Sequence, residues 1–97
     1  MKELAKLVQI GEKAVQHQQC QQETSNAKSE LRTAYTKWKD DHGIGHIERD
    51  TDDWDEMMEA TTPEFKAYRK ALASQDNAKQ RLKRATMAYL LTEPSAT

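Results

Sequence analysis

The sequence DDHGIGHIERDTDDWDEMM, residues 40–58, separates two long polar segments and sets where the chain turns. It contains eight carboxylates, two histidines, two glycines and one tryptophan. Gly43 is suited to the left-handed backbone conformation that ends many helices. We therefore expect the preceding helix to end near Gly43, and residues 43–49 to connect it to the next element.

A short helix is predicted at about residues 51–60. Asp50 or Thr51 is suited to its N-cap, and the helix dipole favours carboxylates in its first turns. Trp54, Met57 and Met58 are spaced i, i+3 and i+4, which places them on one apolar face. The carboxylates of this helix are Asp52, Asp53, Asp55 and Glu56, followed by Glu59.

The N-terminal segment, about residues 3–40, is predicted to form one helix of about 55 Å. Apolar and small residues recur there at spacings of three and four, with one irregular step near Cys20, and so form a stripe. The middle, QHQQCQQETSN, is polar, which leaves open a break between Gln16 and Asn26. The stripe contains Leu7, Ile10, Ala14, His17, Cys20, Thr24, Ala27, Leu31, Ala34 and Trp38, and we expect Leu4, Val8, Val15 and Tyr35 to widen it.

The last helix is predicted at about residues 63–91, followed by a frayed tail at 92–97. Thr61 or Thr62 can cap it, Pro63 fits its first turn, and Glu64 completes a capping-box pattern with Thr61. Alanine at every seventh position allows another helix to approach closely. The predicted stripe contains Ala71, Gln75, Ala78, Leu82, Ala85 and Tyr89, and Phe65, Tyr68 and Leu72 begin it.

These segments together predict an all-α fold with more than about 65% helix, because the sequence lacks the alternation typical of strands. Two long antiparallel helices form a helical hairpin, and the short helix lies at the bend, so that residues 1–97 make one domain. We call residues 41–62 the elbow. Only 36% of the residues are hydrophobic. A core this thin has to be supplemented by helix packing, self-association or a partner.

The composition also indicates the cellular compartment of the protein. The single cysteine, Cys20, cannot form an internal disulfide, which is typical of a reducing compartment. The sequence contains no apolar run long enough for a transmembrane helix or a signal peptide. We therefore expect a cytoplasmic protein without membrane contact.

Charge is divided sharply along the chain, although the net charge is only −1. Residues 1–39, 40–64 and 66–84 carry net charges of +3, −9 and +6 respectively. Arg49 is the one basic residue among the ten acidic residues of the middle segment. The chain is therefore nearly neutral overall but strongly segmented in charge.

Metal binding and catalysis are not predicted. His42 and His46 flank the flexible sequence GIG, and Cys20 lies far upstream, so no pattern of a zinc or calcium site is complete. The acidic residues have no apolar cleft in which two carboxylates would differ in environment, and the sequence has no glycine-rich phosphate loop. We expect neither an enzyme nor a cofactor.

Nucleic-acid binding has some support from the basic last helix. Lys66, Arg69, Lys70, Lys79, Arg81, Lys83 and Arg84 could contact phosphates, and the last four form the candidate site. Asp76 interrupts the series, and the acidic elbow would repel DNA. The same residues also fit the solvated face of an amphipathic helix, so we expect no DNA binding.

Binding to a protein partner explains more features of the sequence than nucleic-acid binding does. Trp54, Met57 and Met58 lie within a rim of carboxylates, and tryptophan is enriched in binding hot spots. The rim could steer the elbow towards a basic, DNA-handling protein. The predicted partner-binding residues are therefore Trp54, Met57, Met58, Asp52, Asp53, Asp55 and Glu56. The alternative is that the three apolar residues plug the end of the hairpin.

In size, high charge, helical simplicity and acidic elbow, the whole chain resembles small bacteriophage-encoded host-takeover proteins, such as inhibitors of host nucleases like RecBCD and anti-CRISPRs. The resemblance carries over no individual residue. It implies a non-enzymatic inhibitor that acts in the host cytoplasm by occluding a host protein. The alternative is a nucleic-acid-binding or self-associating assembly protein, a homo-oligomer, that uses the basic last helix.

Overall fold

The protein is an all-α helical hairpin in a computed structural model that describes residues 2–92. Helix makes up 88% of these residues, and none of them is in a strand. The helices are α1 (Lys2–Asp41), α2 (Asp52–Ala60) and α3 (Thr62–Thr92). Helices α1 and α3 pack antiparallel, and α2 lies at the bend, in a rod of 68 × 20 × 17 Å. The predicted fold class and helix content are confirmed. Except for Thr92, the predicted tail lies outside the described residues.

Helix α1 continues through its polar middle without a break. Thr24 is 8% exposed, and its hydroxyl donates to Cys20 O at 2.8 Å and to Ala71 O of α3 at 3.1 Å. A buried hydroxyl needs such partners, and the small Ala71 lets the α3 backbone come within their reach. His17, Cys20 and Thr24 therefore lie on the partly buried side of α1, and the other residues of this segment are exposed.

The face of α1 that contacts α3 differs from the predicted stripe in the N-terminal third. It runs through Lys6 and Lys13 instead of Leu7 and Ala14, which are exposed. Leu4, Val8 and Val15 are 59%, 53% and 57% exposed, so the prediction that they widen this stripe is wrong. A continuous helix keeps the phase that its C-terminal part sets, and the spacing stays four-three throughout. The partly buried stripe is Lys6, Ile10, Lys13, His17, Cys20, Thr24, Ala27, Leu31, Ala34 and Trp38.

Helix α3 packs through the predicted stripe. Ala71, Gln75, Leu82, Ala85 and Tyr89 are half-buried. Ala78, at the centre of the stripe, is 1% exposed. Its methyl group leaves room for the backbone of α1 to approach closely. The apolar core is small, since the described residues bury only Leu31, Met57 and Ala78 among hydrophobic side chains.

A single residue, Thr61, separates α2 from α3. Its N–H donates to carbonyls at the end of α2, and its hydroxyl donates to Met57 O at 2.8 Å. The Thr61 carbonyl in turn accepts from Phe65 N at 3.0 Å, so the same residue also begins α3. The predicted capping box with Glu64 is not formed, because the Thr61 N–H, which would donate to the Glu64 carboxylate in such a box, donates to Met57 O instead.

Candidate partner-binding site

Helix α1 ends in a Schellman motif at the start of the elbow. Gly43 has φ +66°, its N–H donates to Asp40 O at 3.1 Å, and Ile44 N–H donates to Lys39 O at 2.8 Å. These two bonds satisfy carbonyls that the helix itself leaves without partners. The left-handed cap predicted at Gly43 is confirmed, and it fixes the direction in which the elbow leaves α1.

Helix α2 begins with a threonine N-cap. Trp54 N–H donates to the Thr51 hydroxyl oxygen at 3.3 Å, and that hydroxyl donates to Glu48 O at 2.8 Å. Asp50, just before the cap, has φ +64°, a conformation that aspartate tolerates better than most residues. The cap thus locks the loop to the helix that carries the predicted site.

The predicted site residues divide into two groups by exposure. Met57 is 4% exposed and belongs to the core, whereas Trp54 and Met58 are half-buried. The Arg49 guanidinium carbon lies 5.9 Å from the centroid of the Trp54 ring, within cation–π range. The exposed members are the carboxylates Asp52, Asp53, Asp55 and Glu56. Met57 therefore plugs the hairpin, and Trp54 and Met58 retain surface for contact.

A polar contact holds the end of α2 against α1. The Tyr35 side chain is hydrogen-bonded to that of Thr61, which is 3% exposed. Burial raises the pKa of the Tyr35 phenol, and the hydrogen bond to Thr61 opposes part of that rise. Through Thr61, this contact connects the core side of α1 to the carbonyl of Met57.

His42 is held at the end of α1 by two interactions with Trp38. The two rings stack with their centroids 3.9 Å apart, and His42 Nδ1 lies 2.8 Å from Trp38 O. Since a carbonyl only accepts, Nδ1 carries the proton of this bond. His46 is exposed and lies on the other side of the GIG turn. His42 therefore helps to cap the C-terminal end of α1.

A cavity of about 180 Å³ lies beside Trp38, between the end of α1 and the junction of α2 with α3. Small-molecule sites typically measure roughly 300–1,000 Å³. The cavity suits ordered water better, and Glu64 Oε2 is buried without a hydrogen-bond partner among the described residues. The lining residues are Ala34, Lys37, Trp38, Asp41, Ala60, Thr61 and Glu64.

The basic residues of the alternative nucleic-acid site are exposed but divided around α3. At about 100° per residue, Lys79 and Lys83 lie on one side of the helix. Arg81 and Arg84 lie at least about 100° away from them. The four residues therefore do not form one continuous basic patch on a single side of α3.

Exposed apolar residues occur elsewhere, at the end of the hairpin opposite the elbow. We call this the open end and define it as residues 2–15 of α1 and 84–92 of α3. Its exposed large side chains are Leu4, Leu7, Val8, Val15, Met87, Leu90 and Leu91. The sequence interpretation missed this surface because it assigned the residues of α1 to the core. Their own four-three-four spacing, through Gly11, was the signal that could have revealed it.

Three further observations bear on function. Among the described residues, no group of three or more His, Cys, Asp or Glu side chains is arranged to hold a metal ion. Within residues 2–92, no helix combines the length and apolar character needed to cross a lipid bilayer. Comparison of the chain with protein families, curated proteins and solved structures found no match.

Proposed function

We propose that the protein is a non-enzymatic binding module whose elbow docks on the basic surface of a host DNA-handling protein and blocks it, as a phage-type inhibitor would. The observation that carries the proposal is the exposed carboxylate rim around a half-exposed Trp54. The target would be a nuclease, a recombination protein or a CRISPR complex, met in the host cytoplasm. Each of these has a basic surface that normally receives phosphates.

The charge of the elbow supports a basic partner. Residues 40–64 contain ten acidic residues and Arg49 as the one basic residue, so most of this charge has no opposite charge nearby in sequence. Such a surface attracts a basic protein by long-range electrostatic attraction, and it repels nucleic acid. The rod is also about as wide as a DNA duplex, at 20 × 17 Å across, and so could enter a duplex-binding channel.

The packing of α2 supports an anchor at Trp54. Met57 is buried and the Thr51 cap and Thr61 junction hold both ends of the helix, so α2 is a fixed platform. A rigid aromatic side chain on a fixed platform loses little entropy on binding, which is typical of hot spots. Trp54 and Met58 would fill a pocket, and the carboxylates would surround it.

The test combines pull-down from bacterial lysate with a nuclease-protection assay using the captured protein. Trp54→Ala should weaken partner binding by about 2 kcal/mol or more. Changing Asp52, Asp53, Asp55 and Glu56 to their amides should slow association and flatten its salt dependence. The matched control changes four exposed acids elsewhere, Glu12, Glu23, Glu30 and Asp76, to their amides. A folded Trp54→Ala protein that binds and inhibits normally would refute the anchor.

A further inference from the structure

We propose that the N-terminal third of α1 carries a second helix-packing seam, and that its occupant is the same seam of a second copy of this chain, in antiparallel orientation. The seam consists of Leu4, Val8, Gly11 and Val15. It shares no residue with the elbow, so the proposal does not depend on the proposed function. Two hairpins joined in this way would place their elbows at opposite ends of one long rod.

The seam has the geometry of a helix–helix contact. Its residues are spaced four, three and four apart, the spacing of core positions in a coiled coil. At about 100° per residue, the seam lies roughly 180° around α1 from the stripe that contacts α3. The exposures of 59%, 53% and 57% at Leu4, Val8 and Val15 agree with this placement. Leu7 and Ala14 are also exposed and flank the seam with apolar surface.

Gly11 is the seam residue whose identity favours close packing by another helix. It lies inside α1, where glycine is the poorest helix former apart from proline. A Cβ atom at this position would meet nothing within 4 Å, and its φ is not in the left-handed region. The hairpin itself therefore gives no reason for glycine here. A helix packed closely on the seam would give one, because the missing side chain lets two backbones approach.

The exposed area fits a second copy. Leu4, Leu7, Val8 and Val15 are 59%, 47%, 53% and 57% exposed, so the seam and its flank offer a small apolar area to a second copy. A standard interface removes about 800 Å² from each partner, and smaller interfaces are typical of weak association, so we expect dimers at high concentration. A hairpin whose described residues bury three hydrophobic side chains would also be stabilised by added helix packing.

Charge selects the antiparallel orientation. Residues 2–15 carry three lysines and two glutamates, a net charge of +1, so two open ends can meet without strong repulsion. A parallel pair would set two elbows side by side, each with eight acidic residues and Arg49 and so a net charge of −7. In the antiparallel pair, Leu4 faces Val15 of the second copy and Val8 faces its Gly11. The elbows are then separated by many Debye lengths, each about 8–10 Å in ordinary buffer.

Sedimentation equilibrium of the full 97-residue chain, from micromolar to millimolar concentration, tests the proposal. We expect twice the chain mass at the higher concentrations. Val8→Gln with Val15→Gln should weaken association at least tenfold. Met87→Gln with Leu91→Gln is the matched control, because these exposed residues lie on the side of α3 away from α1, and it should change association less than twofold. Circular dichroism confirms that each variant is helical.

A chain that stays monomeric throughout this range overturns the proposal and assigns the seam to another occupant, a foreign helix or a lipid surface. Equal weakening by both double variants also overturns it. The variant Gly11→Leu further distinguishes a seam that is packed against a second copy from one that is exposed to solvent. A packed seam predicts lost association and a lower melting temperature, whereas an empty seam predicts unchanged mass and a higher melting temperature.

Disulfide trapping in a Cys20→Ser background tests the orientation. The double variant Leu4→Cys with Val15→Cys should form covalent dimers, because these positions face each other in the antiparallel pair. Leu4→Cys alone should not cross-link, since its counterpart lies at the far end of the seam. Efficient cross-linking by Leu4→Cys alone would indicate a parallel pair and overturn the proposed arrangement.

Discussion

The Thr24 hydroxyl oxygen lies 3.1 Å from the Ala71 carbonyl oxygen and so joins the middle of α1 directly to the backbone of α3. The same hydroxyl lies 2.8 Å from Cys20 O, and its one proton is shared between the two carbonyls. This contact occurs where the stripe of α1 is most polar. It replaces apolar packing with a bond that fixes the register of the hairpin.

Thr24→Val should lower the free energy of unfolding by about 1 kcal/mol, because it keeps the shape of the side chain but removes the hydroxyl. Thr24→Ser keeps the hydroxyl and should cost less. Urea denaturation followed by circular dichroism measures both. A Val variant as stable as the parent protein would show that the bond to Ala71 contributes nothing.

Ala78→Leu should destabilise the hairpin by about 1–3 kcal/mol, because Ala78 is 1% exposed and a larger side chain forces the helices apart. Ala73→Leu is the matched control, since Ala73 lies on the exposed side of the same helix. It should change stability by no more than about 0.5 kcal/mol. Similar losses at both positions would contradict the close approach of α1 and α3.

Gly43→Ala should cost about 1–2 kcal/mol, because the φ of +66° at this position disfavours any residue with a Cβ atom. Gly45→Ala should be neutral, since that glycine does not have a left-handed φ and an added Cβ atom would meet nothing within 4 Å. Thermal melting of the two variants gives the comparison. Equal melting temperatures would argue against the Schellman cap.

Tyr35 should make stability fall at high pH. Its pKa is raised in the folded state, so above pH 10.0 the unfolded chain loses the phenol proton before the folded chain does. Below the pKa of Tyr35 in the unfolded chain, this phenol does not change the free energy of unfolding. As the pH rises from there towards the pKa of Tyr35 in the folded chain, the free energy of unfolding declines. Tyr35→Phe should show a shallower decline between about pH 9 and pH 11 in urea titrations. Parallel curves for the two proteins would rule out this contribution.

Mobility-shift assays at low salt should show no binding to duplex or single-stranded DNA, because the basic residues of α3 are divided around the helix. A shift would favour the alternative function if it weakens steeply with salt. It should then also disappear when Lys79, Arg81, Lys83 and Arg84 are changed together to Glu. The elbow amide variant serves as a control for general loss of negative charge.

The sequence was sufficient for those features that local chemistry determines. The left-handed cap at Gly43, the short helix after Thr51 and the stripe through Ala78 all follow from turn chemistry and spacing. The phase of α1 could not be predicted in the same way. In its N-terminal third the most apolar face runs through Val8, but the face that contacts α3 contains Lys6, Ile10 and Lys13. Apolar spacing therefore does not identify the contact face there.

The candidate site could also be predicted from the sequence only in part. The i, i+3, i+4 spacing placed Trp54, Met57 and Met58 on one face, which the structure retains. Spacing gives a face but not the depth of each residue on it. The approach of α2 to the hairpin buries Met57 and leaves part of Trp54 exposed.

The position of the elbow also implies an order of folding. Contacts near it, such as Tyr35 with Thr61, close the shortest loops, whereas Thr24 and Ala71 are 47 positions apart and the open end joins residues still more distant in sequence. Because longer loops cost more entropy to close, the hairpin should zip from the elbow towards residues 2–15. The open end would then form last and exchange its amide protons first. A second copy seated on the seam would protect the segment that is slowest to close.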